Sequence, residues 1–246
     1  MKARVTLSTT THGNGERIEY LKRNIAALDD QEFTDWIQYI VVDHSPLPVV
    51  QSIKKLVLHS KYPHRRKIIW LHGKRPTGIW GKYAHNIALQ ACSTEYFAFY
   101  CDDNFYAPNH LSTLVEMFDS RADYGFVFSF GCHCRTGNLF TGFKCGEIDL
   151  GCPLFRTSLF RQHLPSLAGV RDVYTWDWEM ISFLAFRTYF DTSGLVTFFF
   201  GQKYFGNWRN LVNRYRNWRN DELVAKCRRK IADFKGHYQL KKIIVF

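Results

Sequence analysis

Two adjacent carboxylates are the first residues that could do chemistry. Asp102 and Asp103 come just after the apolar run 96–100 and precede Asn104. Carboxylate oxygens are preferred ligands of hard cations such as Mg²⁺ and Mn²⁺, which commonly keep substrate phosphates as their remaining ligands. A cation held in this way neutralises the charge on a departing diphosphate. The same residues are also typical of a turn, to which Asn104 and Pro108 would contribute.

Two further polar clusters stand at the ends of predicted strands and favour the functional interpretation. Thr9–Thr11 ends the first strand pattern, and Asp43–Ser45 ends the second. In sheets of parallel strands, ligands bind beyond the carboxyl ends of the strands, so the three clusters predict one site at that edge. Neither G-x-G-x-x-G nor G-x-x-x-x-G-K-[ST] occurs after the first strand, which argues against a Rossmann dehydrogenase and a P-loop enzyme.

The elements that must position these residues alternate between strand and helix over the first 130 residues. This alternation is typical of right-handed β-α-β units, and it predicts an α/β fold with a mainly parallel central sheet flanked by helices. Residues 131–153, which are rich in Gly and Cys, are expected to form loops or short antiparallel strands. Predicted strands lie at 4–10, 36–43, 67–71, 96–100, 125–130 and 195–200, and predicted helices at 16–28, 50–59, 82–92, 109–118 and 177–188.

The net charge of +11 is concentrated near the C-terminus. Residues 203–246 hold 12 Lys or Arg and three acidic residues, whereas residues 1–202 hold 21 basic and 19 acidic residues. We therefore expect a basic, aromatic helical tail at 203–246 beside a nearly neutral domain at 1–202. The tail could present a solvated face, bind nucleic acid, or dock on an anionic membrane, where each Lys or Arg contributes about 1 kcal/mol.

The composition indicates a folded protein of a reducing compartment. Hydrophobic residues make up 46% of the 246 residues, which excludes a disordered or low-complexity chain. The seven cysteines, an odd number, are most simply interpreted as free thiols. No apolar signal region follows the first residues, and no apolar run approaches the roughly 20 residues of a spanning helix. We expect a cytoplasmic protein, with peripheral contact to the cytoplasmic membrane face as an alternative.

Five segments in order resemble family-two glycosyltransferases of the GT-A fold, over about residues 4–190. They are the opening strand and turn Val5–Thr11, the V-V-D-x-S-like Ile40–Ser45, the G-x-x-x-x-N-like Gly81–Asn86, the D-x-D-like Tyr100–Asn104 and the E-D-W-E-like Thr175–Glu179. The turn that carries Asp102 and Asp103, here called the acidic turn, is closest to the T-D-D-N form of the spore-coat-polysaccharide type. Cys101 stands where the commoner D-x-D form has its first Asp, which leaves the metal to Asp103.

The resemblance implies a glycosyltransferase that uses Mn²⁺ or Mg²⁺. It would move a sugar from a nucleotide-sugar donor, a UDP- or other NDP-sugar, to a hydroxyl of a glycan or lipid-linked acceptor. Residues up to about 105 would form the nucleotide half of the domain, and residues from about 106 to 202 the acceptor half. A sugar-transfer function of the body favours a solvated or membrane-docked tail over nucleic-acid binding.

The resemblance also implies a role for each matching residue. Thr10 and Asp43 would bind the base and ribose of the nucleotide. Asp102 would approach the ribose, and Asp103 would coordinate the metal. Asp177 would accept the proton of the acceptor hydroxyl, so that one direct displacement inverts the anomeric configuration.

Several residues have a second interpretation that the sequence leaves open. Asp177 could cap the helix that follows, with Glu179 as the reserve candidate for the base. Trp176 and Trp178 could form an acceptor platform, because aromatic rings suit the apolar faces of sugars, or they could pack in the core. Lys82 could contact the diphosphate or remain solvated. The alternative functions are a nucleic-acid-binding protein that uses the basic tail and a catalytically inactive nucleotide-sugar-binding module.

Overall fold

The structure, a computed structural model, describes residues 3–12, 15–72, 81–170, 175–200, 208–215 and 218–243. The strands are β1 (Val5–Thr11), β2 (Trp36–Asp43), β3 (Arg66–Leu71), β4 (Tyr96–Phe99), β5 (Phe105–Tyr106), β6 (Tyr124–His133), β7 (Leu139–Phe140), β8 (Pro153–Arg156) and β9 (Tyr189–Phe200). The helices are α1 (Gly15–Asp29), α2 (Leu47–Leu58), α3 (Lys82–Ala91), α4 (His110–Ser120), α5 (Thr157–His163), α6 (Trp176–Ala185), α7 (Trp208–Tyr215) and α8 (Asp221–Ile243).

The first half of the sheet is parallel, as the alternation of elements predicts. The strands lie in the order β3-β2-β1-β4, and their carboxyl ends point to one edge. The helices α1, α2 and α3 lie between them in the chain, so each connection is a β-α-β unit. All four positions of β4 are buried, as is usual for a parallel strand that is covered on both faces.

The second half of the sheet is mixed, and the expected mainly parallel sheet is not confirmed. The order continues as β8-β6-β9-β5, with β7 paired to β6. β8 is antiparallel to both β4 and β6, whereas β9 is parallel to β6 and antiparallel to β5. The chain between β6 and β8 contains no helix, and a return without a crossover helix runs antiparallel to the strand it leaves.

β9 begins six residues before the predicted strand at 195. Its first half contains Asp191 and Ser193, so it lacks the apolar run on which the prediction depended. Gly194 adopts a left-handed φ of 71°, and the pairing of β9 with β6 shifts register along its length. The irregular pairing explains why local periodicity detected only the second half of this strand.

A buried polar network connects the helix α1 to β1, β2 and β3. The Gln38 side chain donates to Thr9 Oγ1 at 2.9 Å and to Asn24 Oδ1 at 3.0 Å. Gln38 Oε1 accepts from Arg66 Nε at 2.9 Å, and Arg66 Nη2 pairs with Asp29 Oδ1 at 2.8 Å. Buried polar groups stabilise a fold only when their hydrogen bonds are made, and these bonds fix α1 against the sheet.

The C-terminal helix α8 packs against the sheet through one apolar face. Val224, Cys227 and Ile231 are buried, at helical spacing, and α8 contacts β9. Part of the expected tail is therefore continuous with the core of the body, and the boundary at residue 202 falls outside the described residues and stays a prediction. None of the helices in the described part of the chain is long and apolar enough to span a bilayer.

We expect Asp29→Ala to lower the free energy of unfolding by about 3 kcal/mol, because it leaves the Arg66 charge buried without its carboxylate. The Arg66 side chain is 0% exposed and the Asp29 side chain 11% exposed. The neighbouring Asp30 pairs with Arg209 at the surface, so Asp30→Ala is expected to cost less than about 1 kcal/mol. Urea denaturation of both variants tests the difference, and equal losses would show that the buried pair has no special role.

Candidate active site

The polar ends of β1, β2 and β4 lie together at one edge of the sheet, as predicted. β1 pairs in parallel with both β2 and β4, so Thr10, Asp43 and the acidic turn after β4 share the carboxyl edge. Asp43 is buried at the last position of β2. Gly81, which has a φ of 75°, begins α3 against Thr10, and a Cβ at this position would lie 2.8 Å from Thr10 Oγ1. Thr10, of the cluster Thr9–Thr11, thus lies directly against Gly81, the first residue of the G-x-x-x-x-N-like segment.

The acidic turn is held to α1 by an arginine that the sequence analysis did not identify. Arg17 Nη1 lies 2.7 Å from Asp102 Oδ1 and 3.3 Å from Asp103 Oδ2. The Asp102 side chain is 5% exposed and that of Asp103 is 37% exposed, so the two carboxylates have different environments. Burial raises the pKa of Asp102 to about 7, while the positive charge of Arg17 opposes the rise and the negative charge of Asp103 adds to it.

The backbone of the acidic turn is fixed by Asn24. The Asn24 side-chain amide donates to the Cys101 carbonyl at 2.9 Å and to the Asn104 carbonyl at 3.1 Å. Its own carbonyl oxygen accepts from Gln38, which places the turn in the same network as β1 and β2. Asp102 and Asp103 therefore stand on a rigid loop between two anchored carbonyls.

Cys101, at the place of the first Asp in the commoner D-x-D form, is a neutral thiol. Burial raises the pKa of Cys101 well above its usual value. Its sulfur lies 3.8 Å from His85 Nε2, and His85 Nδ1 is 2.8 Å from Ser8 Oγ. Burial also lowers the pKa of His85 to about 3, so the imidazole is neutral. These groups lie beside the turn and add no charge to it.

A cavity of about 430 Å³ opens beside the acidic turn. Asp103 and Asn104 line one side, and Thr175–Trp178, at the start of α6, lines another. A third side is formed by 145–150, which follows β7. The acidic turn and the Trp-Asp-Trp segment, which are more than 70 residues apart in sequence, thus face one volume.

Asp177 lies in the first turn of α6, and Thr175 occupies the N-cap position. The alternative interpretation, that Asp177 occupies the N-cap position, is therefore wrong, and its role as the base stays a prediction. Asp177 Oδ1 accepts from the Trp178 N–H at 2.8 Å. Burial raises the pKa of Asp177, and the hydrogen bond from Trp178 opposes this rise. The reserve candidate Glu179 is not among the residues that line the cavity.

The two tryptophans beside Asp177 differ in their surroundings. Trp176 is buried and packs edge-on against Phe99 at 6.2 Å, so core packing accounts for most of its side chain. Trp178 is partly buried, contacts Phe143 at 5.3 Å and lines the cavity. An acceptor platform stays a prediction for both residues, with the more open surroundings at Trp178.

Lys82 is fully buried, which rules out the alternative interpretation of a solvated lysine. Its Nζ donates to the Val170 carbonyl at 2.7 Å. This bond joins the start of α3 to the segment that precedes residues 171–174, which lie outside the described residues. A contact between Lys82 and a diphosphate stays a prediction.

Asp149 is a cavity carboxylate that the sequence analysis missed. It lines the cavity, and its Oδ1 accepts from the Gly151 N–H at 2.9 Å. Burial raises the pKa of Asp149 to about 7, and the negative charges of Asp177 and Asp103 add to the rise. Asp149 lies in the Gly- and Cys-rich stretch that has no periodic pattern, so an isolated acidic residue was the sole signal.

The class of protein is shown by comparison of the sequence with known families. Residues 10–163 match the sequence model of glycosyl transferase family 2, and this match covers well over half of the chain. The chain belongs to that family, and the predicted resemblance is confirmed at this level. Similarity to the spore-coat-polysaccharide type is not confirmed.

Relatives and solved structures agree with this assignment. An uncharacterized glycosyltransferase, R139, of Acanthamoeba polyphaga mimivirus is 23% identical over 135 residues, which are 51% of this chain and 54% of that protein. TarS of S. aureus, solved with UDP-GlcNAc, has a TM-score of 0.62 at 12% identity, over 80% of this chain and 58% of that chain. The mannosyltransferase PcManGT of Pyrobaculum calidifontis, solved with GDP-Man and Mn²⁺, has a TM-score of 0.56 at 15% identity, over 77% and 54% of the two chains.

These likenesses establish the α/β GT-A fold. The chain spans between a half and two thirds of the length of each of these three proteins.

We expect Asp149→Asn to stabilise the protein more at pH 8 than at pH 5. The raised pKa of Asp149, about 7, means that the native state loses stability as the pH rises from the unfolded value of about 3.9 through 7. Asparagine keeps an acceptor for the Gly151 N–H but does not ionise. The gain at pH 8 should exceed that at pH 5 by about 2–3 kcal/mol, measured by urea denaturation. Equal gains would contradict the raised pKa.

Proposed function

We propose that this protein is a metal-dependent, inverting glycosyltransferase that moves a sugar from a nucleotide diphosphate to an acceptor hydroxyl. The observation that carries the proposal is the cavity of about 430 Å³ that both Asp103 and Asp177 line. A leaving diphosphate needs positive charge at one end of a site, and an attacking hydroxyl needs a base at the other. Asp103 would hold a cation beside the leaving diphosphate, and Asp177 would act as the base.

The nucleotide end of the proposed site is the edge formed by β1, β2 and the acidic turn. Thr10 and Asp43 would hold the base and ribose, and Asp102 would approach the ribose. Arg17 places a positive charge beside Asp102 and Asp103 at the same end. The solved complexes of TarS with UDP-GlcNAc and of PcManGT with GDP-Man support a nucleotide-sugar donor.

A divalent cation fits beside Asp103. Its carboxylate is 37% exposed, and the neighbouring Asp102 Oδ2 is buried with no hydrogen-bond partner in the described structure. The described residues contain no group of three or more metal-ligating side chains, so diphosphate oxygens and water would complete the coordination. When bound, Mn²⁺ or Mg²⁺ would neutralise the charge of the departing diphosphate.

The acceptor end of the proposed site is formed by α6 and the segment before β8. Asp177 would accept the proton of the attacking hydroxyl, and a raised pKa makes this carboxylate a stronger base. Trp178 lines the same cavity and could contact the apolar face of a sugar. A glycan or a lipid-linked sugar is the proposed acceptor. Exposed cations of α8, such as Lys226 and Arg229, would favour contact with an anionic membrane from the cytoplasmic side.

A nucleoside diphosphate with Mn²⁺ is expected to raise the melting temperature. At a hundredfold excess over Kd, binding to the native state alone should raise it by about 5 °C or more. The test is a thermal-shift screen of UDP, GDP, UDP-GlcNAc and GDP-mannose with and without Mn²⁺. Asp103→Ala should lose the part of the shift that depends on Mn²⁺. No shift with any nucleotide would argue strongly against the proposal.

We expect Asp177→Asn to lower the rate of transfer by about 100-fold or more, because asparagine cannot accept a proton. The nucleotide-induced shift in melting temperature should be retained, since Asp177 acts at the acceptor end. Release of nucleoside diphosphate from the donor found in the screen measures the rate. Glu179→Gln is the matched control and should keep most of the activity. Full activity of Asp177→Asn would assign the base to another carboxylate.

A further inference from the structure

One wall of the active-site cavity is held by contacts with the C-terminal helix. The segment 141–150, here called the acidic wall, contributes Cys145, Gly146 and Ile148–Leu150 to the lining. It connects β7 to the chain that leads into β8 and has little regular hydrogen bonding of its own. Its position therefore depends on the side chains that anchor it to the rest of the molecule.

The first anchor is an ion pair between the acidic wall and α8. Glu147 Oε2 lies 3.1 Å from Lys230 Nζ, which is 83 residues later in the chain. The other oxygen of Glu147 pairs with Lys144 within the wall, at 2.6 Å. The Glu147 carboxylate lies against Gly142, where a Cβ would overlap it. Glu147, two residues before Asp149, thus pairs with Lys144 inside the acidic wall and with Lys230 on α8.

The second anchor is an aromatic cluster. Phe143 of the acidic wall is buried, and its ring centroid lies 5.1 Å from that of Phe234 on α8. Phe143 is also 5.3 Å from Trp178, which is itself 6.2 Å from Phe234. Phe234 stacks on Phe186, just after α6, at 4.3 Å. One α8 side chain therefore contacts both the acidic wall and the helix that carries Asp177.

The helix that supplies these anchors is itself fixed to the sheet. Arg228 forms two hydrogen bonds with the Asp191 carboxylate of β9, at 3.0 and 2.8 Å. Val224 packs on Gly194, where a Cβ would overlap the valine side chain. Lys230 and Phe234 lie two and six residues beyond Arg228 on the same helix, so their positions follow from the packing of α8.

We propose that Lys230 and Phe234 are positioning residues that hold the acidic wall and Trp178 in place at the acceptor side of the cavity. This inference rests on the proposed function only in calling that side of the cavity the acceptor side. It assigns the C-terminal helix a role in the site although none of its residues lines the described cavity. Asp149 would keep its place near Asp177 through these contacts.

Hydrogen exchange measured by mass spectrometry on the full chain tests the proposal. In Lys230→Ala and Phe234→Leu, backbone amides of 141–150 should exchange about tenfold faster than in the wild type, because local opening becomes easier. Amides of β1 and β4 should not change. Lys226→Ala, which removes an equal charge from an exposed position of α8, is the matched control and should leave the wall unchanged. Lys230→Arg should restore slow exchange.

Two exchange results would overturn the proposal. One is exchange of 141–150 in Lys230→Ala that equals the exchange in Lys226→Ala. The other is faster exchange throughout the chain, including β1 and β4, which would indicate general destabilisation. The shift in melting temperature with UDP or GDP and Mn²⁺ should be the same in Lys230→Ala as in the wild type, and its loss in the variant alone would also count against a role at the acceptor side. Absence of the shift in the wild type would contradict the proposed function and leave the exchange result valid.

Discussion

The site depends on the hydrogen bonds that the Asn24 side-chain amide makes. It donates to the carbonyls on either side of the acidic turn and accepts from Gln38, which in turn bonds to Thr9. One buried amide therefore joins the ends of β1, β2 and β4 through α1. In a low-dielectric interior, an unpaired partner in this network would cost the full desolvation of a polar group. The network thus allows one arrangement of the turn, and the positions of Asp102 and Asp103 follow from it.

Around this anchored turn, carboxylates outnumber the cations that contact them among the residues that the structure describes. Asp103 and Asp177 raise the pKa of Asp149, and Asp103 raises that of Asp102, while burial is the largest cause in both cases. Arg17 pairs with two of these groups across one edge of the site. Such an arrangement is unfavourable for the protein alone and becomes favourable when a cation binds, because opposite charge restores the ionised forms. The proposed cation would therefore relieve the repulsion among these carboxylates.

Much of the structure of residues 1–105 could be predicted from sequence, because its signals are local. Apolar runs that end in polar clusters placed β1, β2 and β4, and parallel pairing then required Thr10, Asp43 and the acidic turn to share an edge. Asn24 could not be identified, since its partners are 77 and 80 residues away and its role exists only in the folded chain. The antiparallel insertion of β8 between β4 and β6 also depends on long-range pairing. Asp149 lies in a segment without sequence periodicity, so the sequence of that segment did not indicate that Asp149 would line the cavity.

The contacts of α8 with the rest of the protein account for part of the net positive charge near the C-terminus. Arg228 and Lys230 are among the 12 basic residues of 203–246, and they bind Asp191 and Glu147 of the body. Exposed ion pairs contribute at most about 1 kcal/mol each, so the buried face of Val224, Cys227 and Ile231 accounts for most of the docking of α8. Part of the basic excess is therefore complementary to acidic groups of the body.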